Sequence, residues 1–111
     1  MSVPAITSAS EGAIVHSVFF RLKHAAGSSE EQAFKAEAER LGDLPGVRDF
    51  AWVDELSPKN DFDYGLVMTF ADQAAYDAYN IHPAHVRFVQ KIWIPNVADF
   101  LEIDWRKPAA E

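Results

Sequence analysis

The stretch FDYGLVMTF, residues 62–70, has the clearest alternation of side-chain character in the chain. Its even-numbered positions carry the large apolar residues Phe62, Tyr64, Leu66, Met68 and Phe70. The positions between them are Asp63, Gly65, Val67 and Thr69. Because successive side chains of a strand point to opposite faces of its sheet, this spacing predicts a β-strand with one face in the core.

Two strands and a helix are predicted before this stretch. The first strand, at about residues 14–24, begins with IVHSVFF, which is rich in β-branched and aromatic side chains. Ser28 followed three residues later by Glu31 is a capping-box pattern, and apolar residues at helical spacing continue the predicted helix to about residue 41. A Leu-Pro-Gly turn then leads into a second strand at about residues 47–54.

Two helical segments and a last strand are predicted after it. Asp72 is a suitable N-cap for a helix, which the pair His82-Pro83 interrupts. Proline fits the first turn of a helix, so a second helical segment should begin at Pro83 and end near Pro95. The last strand follows at about residues 97–105, with Leu101, Ile103 and Trp105 on one face.

The predicted order β-α-β-β-α-β indicates an α+β fold of ferredoxin-like type. In it, a four-stranded antiparallel sheet carries its helices on one face. The second face of the sheet is also apolar in places, and a monomer would expose it, so we expect a homodimer that pairs two sheets. One domain is predicted at residues 14–106, between tails at residues 1–13 and 107–111.

Composition limits the possible partners. The chain has 111 residues and no cysteine, which fits one domain and excludes disulfides, thiolate metal sites and a cysteine nucleophile. Its formal net charge of -7 opposes binding to nucleic acid or anionic lipid. With no apolar run long enough to span a bilayer and no signal-peptide pattern, we expect a cytoplasmic protein with no membrane partner.

Several stretches, in this order and spacing, resemble the stress-responsive α/β-barrel (Dabb) family. They are HSVFFRLK at residues 16–23, LPGV at 44–47, DFDYGLV at 61–67, Thr69-Phe70, Tyr76, Tyr79, and HPAH at 82–85. The resemblance implies a ferredoxin-like monomer that dimerises through its sheet into a dimeric α+β barrel.

The resemblance also implies candidate functions. Many family members have no known activity, and a few are polyketide cyclases in which a tyrosine and a histidine matching Tyr79 and His85 act on an aromatic polyketide. The chain departs from the cyclase pattern on the third strand, where Tyr64 stands in place of a further pocket histidine. A non-catalytic stress-responsive homodimer and a haem- or quinol-oxidising monooxygenase on the same fold are the alternatives.

The residues themselves allow acid/base chemistry. His85 falls in the first turn of the helix that Pro83 opens, where the helix dipole disfavours an imidazolium and favours a neutral base. The break could fold Tyr79 back towards His85, giving a Tyr–His pair for a lyase or isomerase of the cyclase type. The alternative is structural, with both side chains in the core and His82 as a cap.

A small hydrophobic or aromatic ligand is predicted between the helices and the sheet. The residues expected to bind it are His16, Tyr64, His82 and Phe88. His82 and His85 are three residues apart and His16 could approach them, which is a possible metal pattern. Zinc sites need three or four well-spaced ligands, so we predict neither a metal nor another cofactor.

Overall fold

The computed structural model describes residues 12–108, so most of the two predicted tails lies outside the described residues. The strands are β1 (Ile14–Leu22), β2 (Arg48–Asp54), β3 (Tyr64–Phe70) and β4 (Val97–Trp105). The helices are α1 (Ser29–Glu39), α2 (Gln73–Ile81), α3 (Pro83–Phe88) and α4 (Ile94–Asn96). A 3-10 turn (Arg40–Asp43) follows α1, and a π-helical turn (Val89–Trp93) joins α3 to α4.

The four strands form one antiparallel sheet in the order β2-β3-β1-β4. This is the ferredoxin-like arrangement, in which β3 lies between the strands that α1 connects. The predicted α+β fold is therefore confirmed. No helix within residues 12–108 is both long enough and apolar enough to cross a bilayer.

The core lies between the helices and one face of the sheet. The even-numbered side chains of β1 and β3 supply most of it, as the alternation of β3 predicts. Phe20 is fully buried and lies within 5.1 to 5.9 Å, between ring centroids, of four other aromatic rings: Phe34, Trp52, Tyr64 and Trp93.

Two strand boundaries differ from the sequence prediction. β3 begins at Tyr64 rather than Phe62, because the Phe62 amide donates to the Asn60 side chain in the preceding loop instead of joining the ladder. β1 ends at Leu22 rather than near residue 24, because its register against β4 shifts there. The Lys23 amide then donates to the Asn96 carbonyl at the end of α4.

The break between α2 and α3 follows the prediction. His82 has extended backbone, its Nδ1 accepts a hydrogen bond from the Ala84 amide at 3.1 Å, and Pro83 opens α3. The π-helical turn after α3 was not predicted, and the sequence pattern indicated one regular segment. Pro95 explains the widening, since its ring would crowd the Lys91 carbonyl of a regular α-helix.

The second face of the sheet, called the outer face below, is apolar and open. Cross-strand pairs place Phe19 opposite Leu101 and Val15 opposite Trp105, and all four side chains point away from the helices. Leu101, Ile103 and Trp105 are 50%, 42% and 46% exposed. The outer face is thus the apolar surface that the strand pattern predicted.

Candidate active site

A cavity of about 350 Å³ lies between the sheet and the segment from α2 to α4. Its lining is mostly apolar, with a few polar side chains, which is the usual composition of a small-molecule site. The lining residues are His16, Val18, Leu41, Leu66, Met68, Tyr79, Asn80, His85, Phe88, Val89, Trp93, Ile94, Phe100 and Glu102.

The break at His82-Pro83 brings Tyr79 and His85 together at one wall of the cavity. Their ring centroids are 4.4 Å apart. His85 Nδ1 lies 3.1 Å from the Asn80 carbonyl, which can only accept, so Nδ1 carries the proton and Nε2 is the basic atom. Burial lowers the pKa of His85 below its usual value, which leaves the imidazole neutral at pH 7.

The pKa of Tyr79 is shifted in the opposite direction, upwards. The residue is 2% exposed, and its ring packs against Phe70 with ring centroids 5.0 Å apart. Burial is the main cause that raises the pKa of Tyr79, and the negative charge of Glu102 adds to it, so the phenol remains protonated. The hydroxyl makes no hydrogen bond with residues 12–108 but is not sealed from the cavity, and it is available to a ligand as a donor.

A second polar cluster lies where β1 pairs with β4. His16 is 5% exposed, and its Nδ1 lies 2.6 Å from Asp104 Oδ1 and 3.0 Å from the Tyr76 hydroxyl. The same hydroxyl donates to Asp104 Oδ2 at 2.8 Å. These contacts fix the imidazole ring, while Nε2 lies on the side of Glu102, 3.7 Å from its Oε2. Burial and the bond to Asp104 raise the pKa of Tyr76.

Sequence reasoning did not single out Tyr76, Asp104 or Glu102 as site residues. The carboxylates of Glu102 and Asp104 alternate with the exposed apolar residues of β4, which is a normal pattern for a solvent-facing edge strand. The pairing of His16 with Asp104 across the ladder is what makes them part of the site. Only the strand register, which the sequence alone does not give, could have identified them.

Four of the six predicted site residues line the cavity: His16, Tyr79, His85 and Phe88. The other two, Tyr64 and His82, do not. The Tyr64 hydroxyl donates to the Glu31 carboxylate, which raises the pKa of Tyr64 to about 12, and its ring packs on Trp52. His82 caps α3.

The fold does not bring together the three histidines considered from the sequence. Nδ1 of His82 is occupied as the acceptor of the α3 cap, outside the cavity that His16 and His85 line. Within residues 12–108, no three histidine, aspartate or glutamate side chains are grouped as metal ligands.

Comparison with known proteins assigns the family. The family model of the stress responsive A/B barrel domain, Dabb, matches residues 14–107. The chain belongs to the Dabb family. No curated protein matches this Dabb chain.

Solved structures similar to this Dabb chain share its fold. A Dabb family protein with a ferredoxin-like fold from Mesorhizobium loti is 48% identical, with a TM-score of 0.85 over 86% of this chain and 97% of that one. A dimeric ferredoxin-like protein of unknown function from Jannaschia is 27% identical, with a TM-score of 0.67 over 86% and 100%. The hydroxynitrile lyase from Passiflora edulis is 17% identical, with a TM-score of 0.78 over 91% and 98%, and shows the fold alone.

Proposed function

We propose that this Dabb protein binds a small hydrophobic or aromatic molecule in the cavity and that Tyr79 and His85 act on it by acid/base chemistry. The observation that carries the proposal is the contact between an imidazole whose pKa burial lowers and a phenol whose pKa burial raises. The two rings are 4.4 Å apart at the wall of an apolar cavity. Environments that push the pKa values of two neighbouring groups apart are typical of acid/base pairs in enzymes.

The two groups suit removal of a proton from a carbon next to a carbonyl group. Nε2 of His85 takes the proton, and the Tyr79 hydroxyl donates a hydrogen bond to the carbonyl oxygen as negative charge develops on it. The resulting enolate can take a proton at another position, which is an isomerisation. It can also attack a second carbonyl of the same molecule, which closes a ring as in a cyclase.

The fold is compatible with enzymatic function. The Passiflora edulis protein, described as a hydroxynitrile lyase, has the same fold, although its 17% identity carries no residue role over to this chain. A fold alone does not fix a function, so the proposal depends on the cavity and on the Tyr79–His85 pair.

The test is exchange of the α-protons of 2-tetralone, a two-ring aromatic ketone, in deuterated buffer, followed by proton NMR. We expect catalysed exchange that slows about 100-fold or more in His85→Gln and about tenfold or more in Tyr79→Phe. His82→Asn and Tyr64→Phe are matched controls because both side chains lie outside the cavity.

Two results would contradict the proposal. One is an exchange rate no higher than that of buffer, together with no binding of 2-tetralone. The other is catalysed exchange that both His85→Gln and Tyr79→Phe leave unchanged. In the second case the Tyr79–His85 pair would be structural and another group would catalyse the exchange.

We also propose that the protein is a homodimer joined through its outer face. Three large apolar residues of β4 lie about half exposed there, a patch that soluble monomers rarely leave open. The Jannaschia protein, at 27% identity, is described as dimeric. A homodimer without catalytic activity remains the alternative if the exchange test fails.

A further inference from the structure

The wall of the cavity formed by β1 and β4 presents a polar pair that the proposed chemistry does not use. Asp104 and Tyr76 occupy Nδ1 of His16, so the ring is held with Nε2 as its remaining polar atom. Nε2 makes no hydrogen bond with residues 12–108, although the His16 side chain is more than nine-tenths buried. Because no fully buried side-chain nitrogen or oxygen within residues 12–108 lacks a hydrogen-bond partner, Nε2 itself keeps accessible surface, and an accessible nitrogen in the lining of a cavity is a position for a ligand atom.

The second member of this polar pair, beside His16, is Glu102. Its Oε2 lies 3.7 Å from His16 Nε2, slightly too far for a direct hydrogen bond, and the side chain lines the same cavity. Glu102 is about half exposed, so it lies where the cavity meets solvent. A ligand atom entering there could contact both the nitrogen and the carboxylate.

The charges around the cavity restrict the ligand further. Among residues 12–108, the lining contains no lysine or arginine, and Glu102 is its one acidic residue. A carboxylate ligand would meet the Glu102 carboxylate with no lysine or arginine to offset the repulsion, and a positive charge on His16 would already be paired with Asp104 at 2.6 Å. The formal net charge of -7 on the whole chain also disfavours the binding of an anionic ligand.

We propose that the cavity selects an uncharged aromatic ligand carrying a hydroxyl group, that His16 and Glu102 bind this hydroxyl, and that the matching carboxylate is rejected. The inference rests on the proposed function, since it concerns the same cavity. A hydroxyl both donates and accepts, so it can donate to Glu102 and accept from a protonated Nε2. It can equally donate to an unprotonated Nε2. A carboxylate can only accept, and it carries the same charge as Glu102.

The test compares three ligands with the same two-ring core by isothermal titration calorimetry at pH 7.5. They are 2-naphthol, its carboxylate counterpart 2-naphthoate, and 2-methoxynaphthalene, which lacks the donor hydrogen. We expect 2-naphthol to bind about tenfold or more tightly than either of the others, since a hydrogen bond to a charged group contributes at least that factor.

Glu102→Gln should remove most of the discrimination. It replaces the carboxylate by an amide of the same shape, so the Kd values of 2-naphthol and 2-naphthoate should come within about threefold, mainly through tighter binding of the carboxylate. Glu39→Gln is the matched control, because it removes the same charge from an exposed position of α1 outside the cavity and should leave the ratio unchanged.

The outcomes separate this inference from the proposed function. Binding of 2-naphthoate as tightly as 2-naphthol by the unmodified protein overturns the selectivity and leaves the cavity as a ligand site. A ratio that Glu102→Gln does not change overturns the role of Glu102. If none of the three ligands binds, the proposed ligand site and its selectivity are both wrong.

Discussion

His85 and Tyr79 owe their proposed roles to their surroundings. The Asn80 carbonyl fixes the proton of His85 on Nδ1, and burial keeps the ring neutral. The same kind of burial keeps the Tyr79 phenol protonated. One environment therefore favours the neutral form of both groups, which makes one of them a base and the other a hydrogen-bond donor.

The pH dependence of 2-tetralone exchange should reflect these two groups. Because burial lowers the pKa of His85 from 6.5, its base form is complete at a lower pH than for a free imidazole. The catalysed rate should rise with pH along a limb whose midpoint lies below 6.5. It should then stay level, since the raised pKa of Tyr79 keeps the phenol protonated beyond pH 10.

The measurement is the catalysed rate between pH 4.5 and about 9, corrected for exchange in buffer alone. His82→Asn should reproduce the profile of the unmodified protein. A midpoint at or above 6.5 would mean that another group controls the rate or that burial does not lower the pKa of His85.

At the scale of single elements, the start of α3 depends on its cap. His82 Nδ1 accepts from the Ala84 amide at the point where Pro83 turns the chain. His82→Ala removes this acceptor and should lower the free energy of unfolding by about 1 kcal/mol, whereas His82→Asn, which restores a capping oxygen, should lower it by less. Urea unfolding measures both, and equal losses would show that the cap contributes nothing.

The contact between β1, β2 and β3 on the outer face depends on Gly65. A Cβ at this position would lie 2.8 Å from the Phe19 ring and 2.9 Å from a Val53 methyl carbon. Gly65→Ala must displace one of the two neighbouring strands or their side chains. We expect it to lower the free energy of unfolding by about 1 to 3 kcal/mol.

Gly12→Ala is a suitable control for Gly65→Ala, because the nearest atom to its added Cβ would be 3.6 Å away, an ordinary contact. Urea unfolding of the two variants gives the comparison. A Gly65→Ala variant as stable as the unmodified chain would show that Phe19 and Val53 move aside at little cost.

At the scale of the whole molecule, the outer face should hold two chains together. Ile103→Lys places a charge in the middle of the apolar patch, between Leu101 and Trp105, without touching the cavity. Sedimentation equilibrium at micromolar concentration should give a dimer for the unmodified chain and a monomer for Ile103→Lys. Glu39→Lys, a charge change on exposed α1, should remain dimeric, and a monomeric unmodified chain would contradict the proposal.

The sequence by itself determined the order of elements, the faces of the strands and the break at His82-Pro83. These are local properties: alternation along residues 62–70, a capping side chain, and a proline that interrupts a helix each act over a few residues. The same local reasoning, with the family resemblance, identified His16, Tyr79, His85 and Phe88, which line the cavity.

The tertiary structure alone decided which polar groups meet. The register of β4 against β1 brings Asp104 and Glu102 to His16, 86 or more residues away in the chain, and no short-range pattern encodes that pairing. Tertiary packing also places the Tyr64 hydroxyl against Glu31, and His82 caps α3, so neither side chain lines the cavity. The composition of a site, unlike that of a strand, depends on long-range contacts that only the folded chain forms.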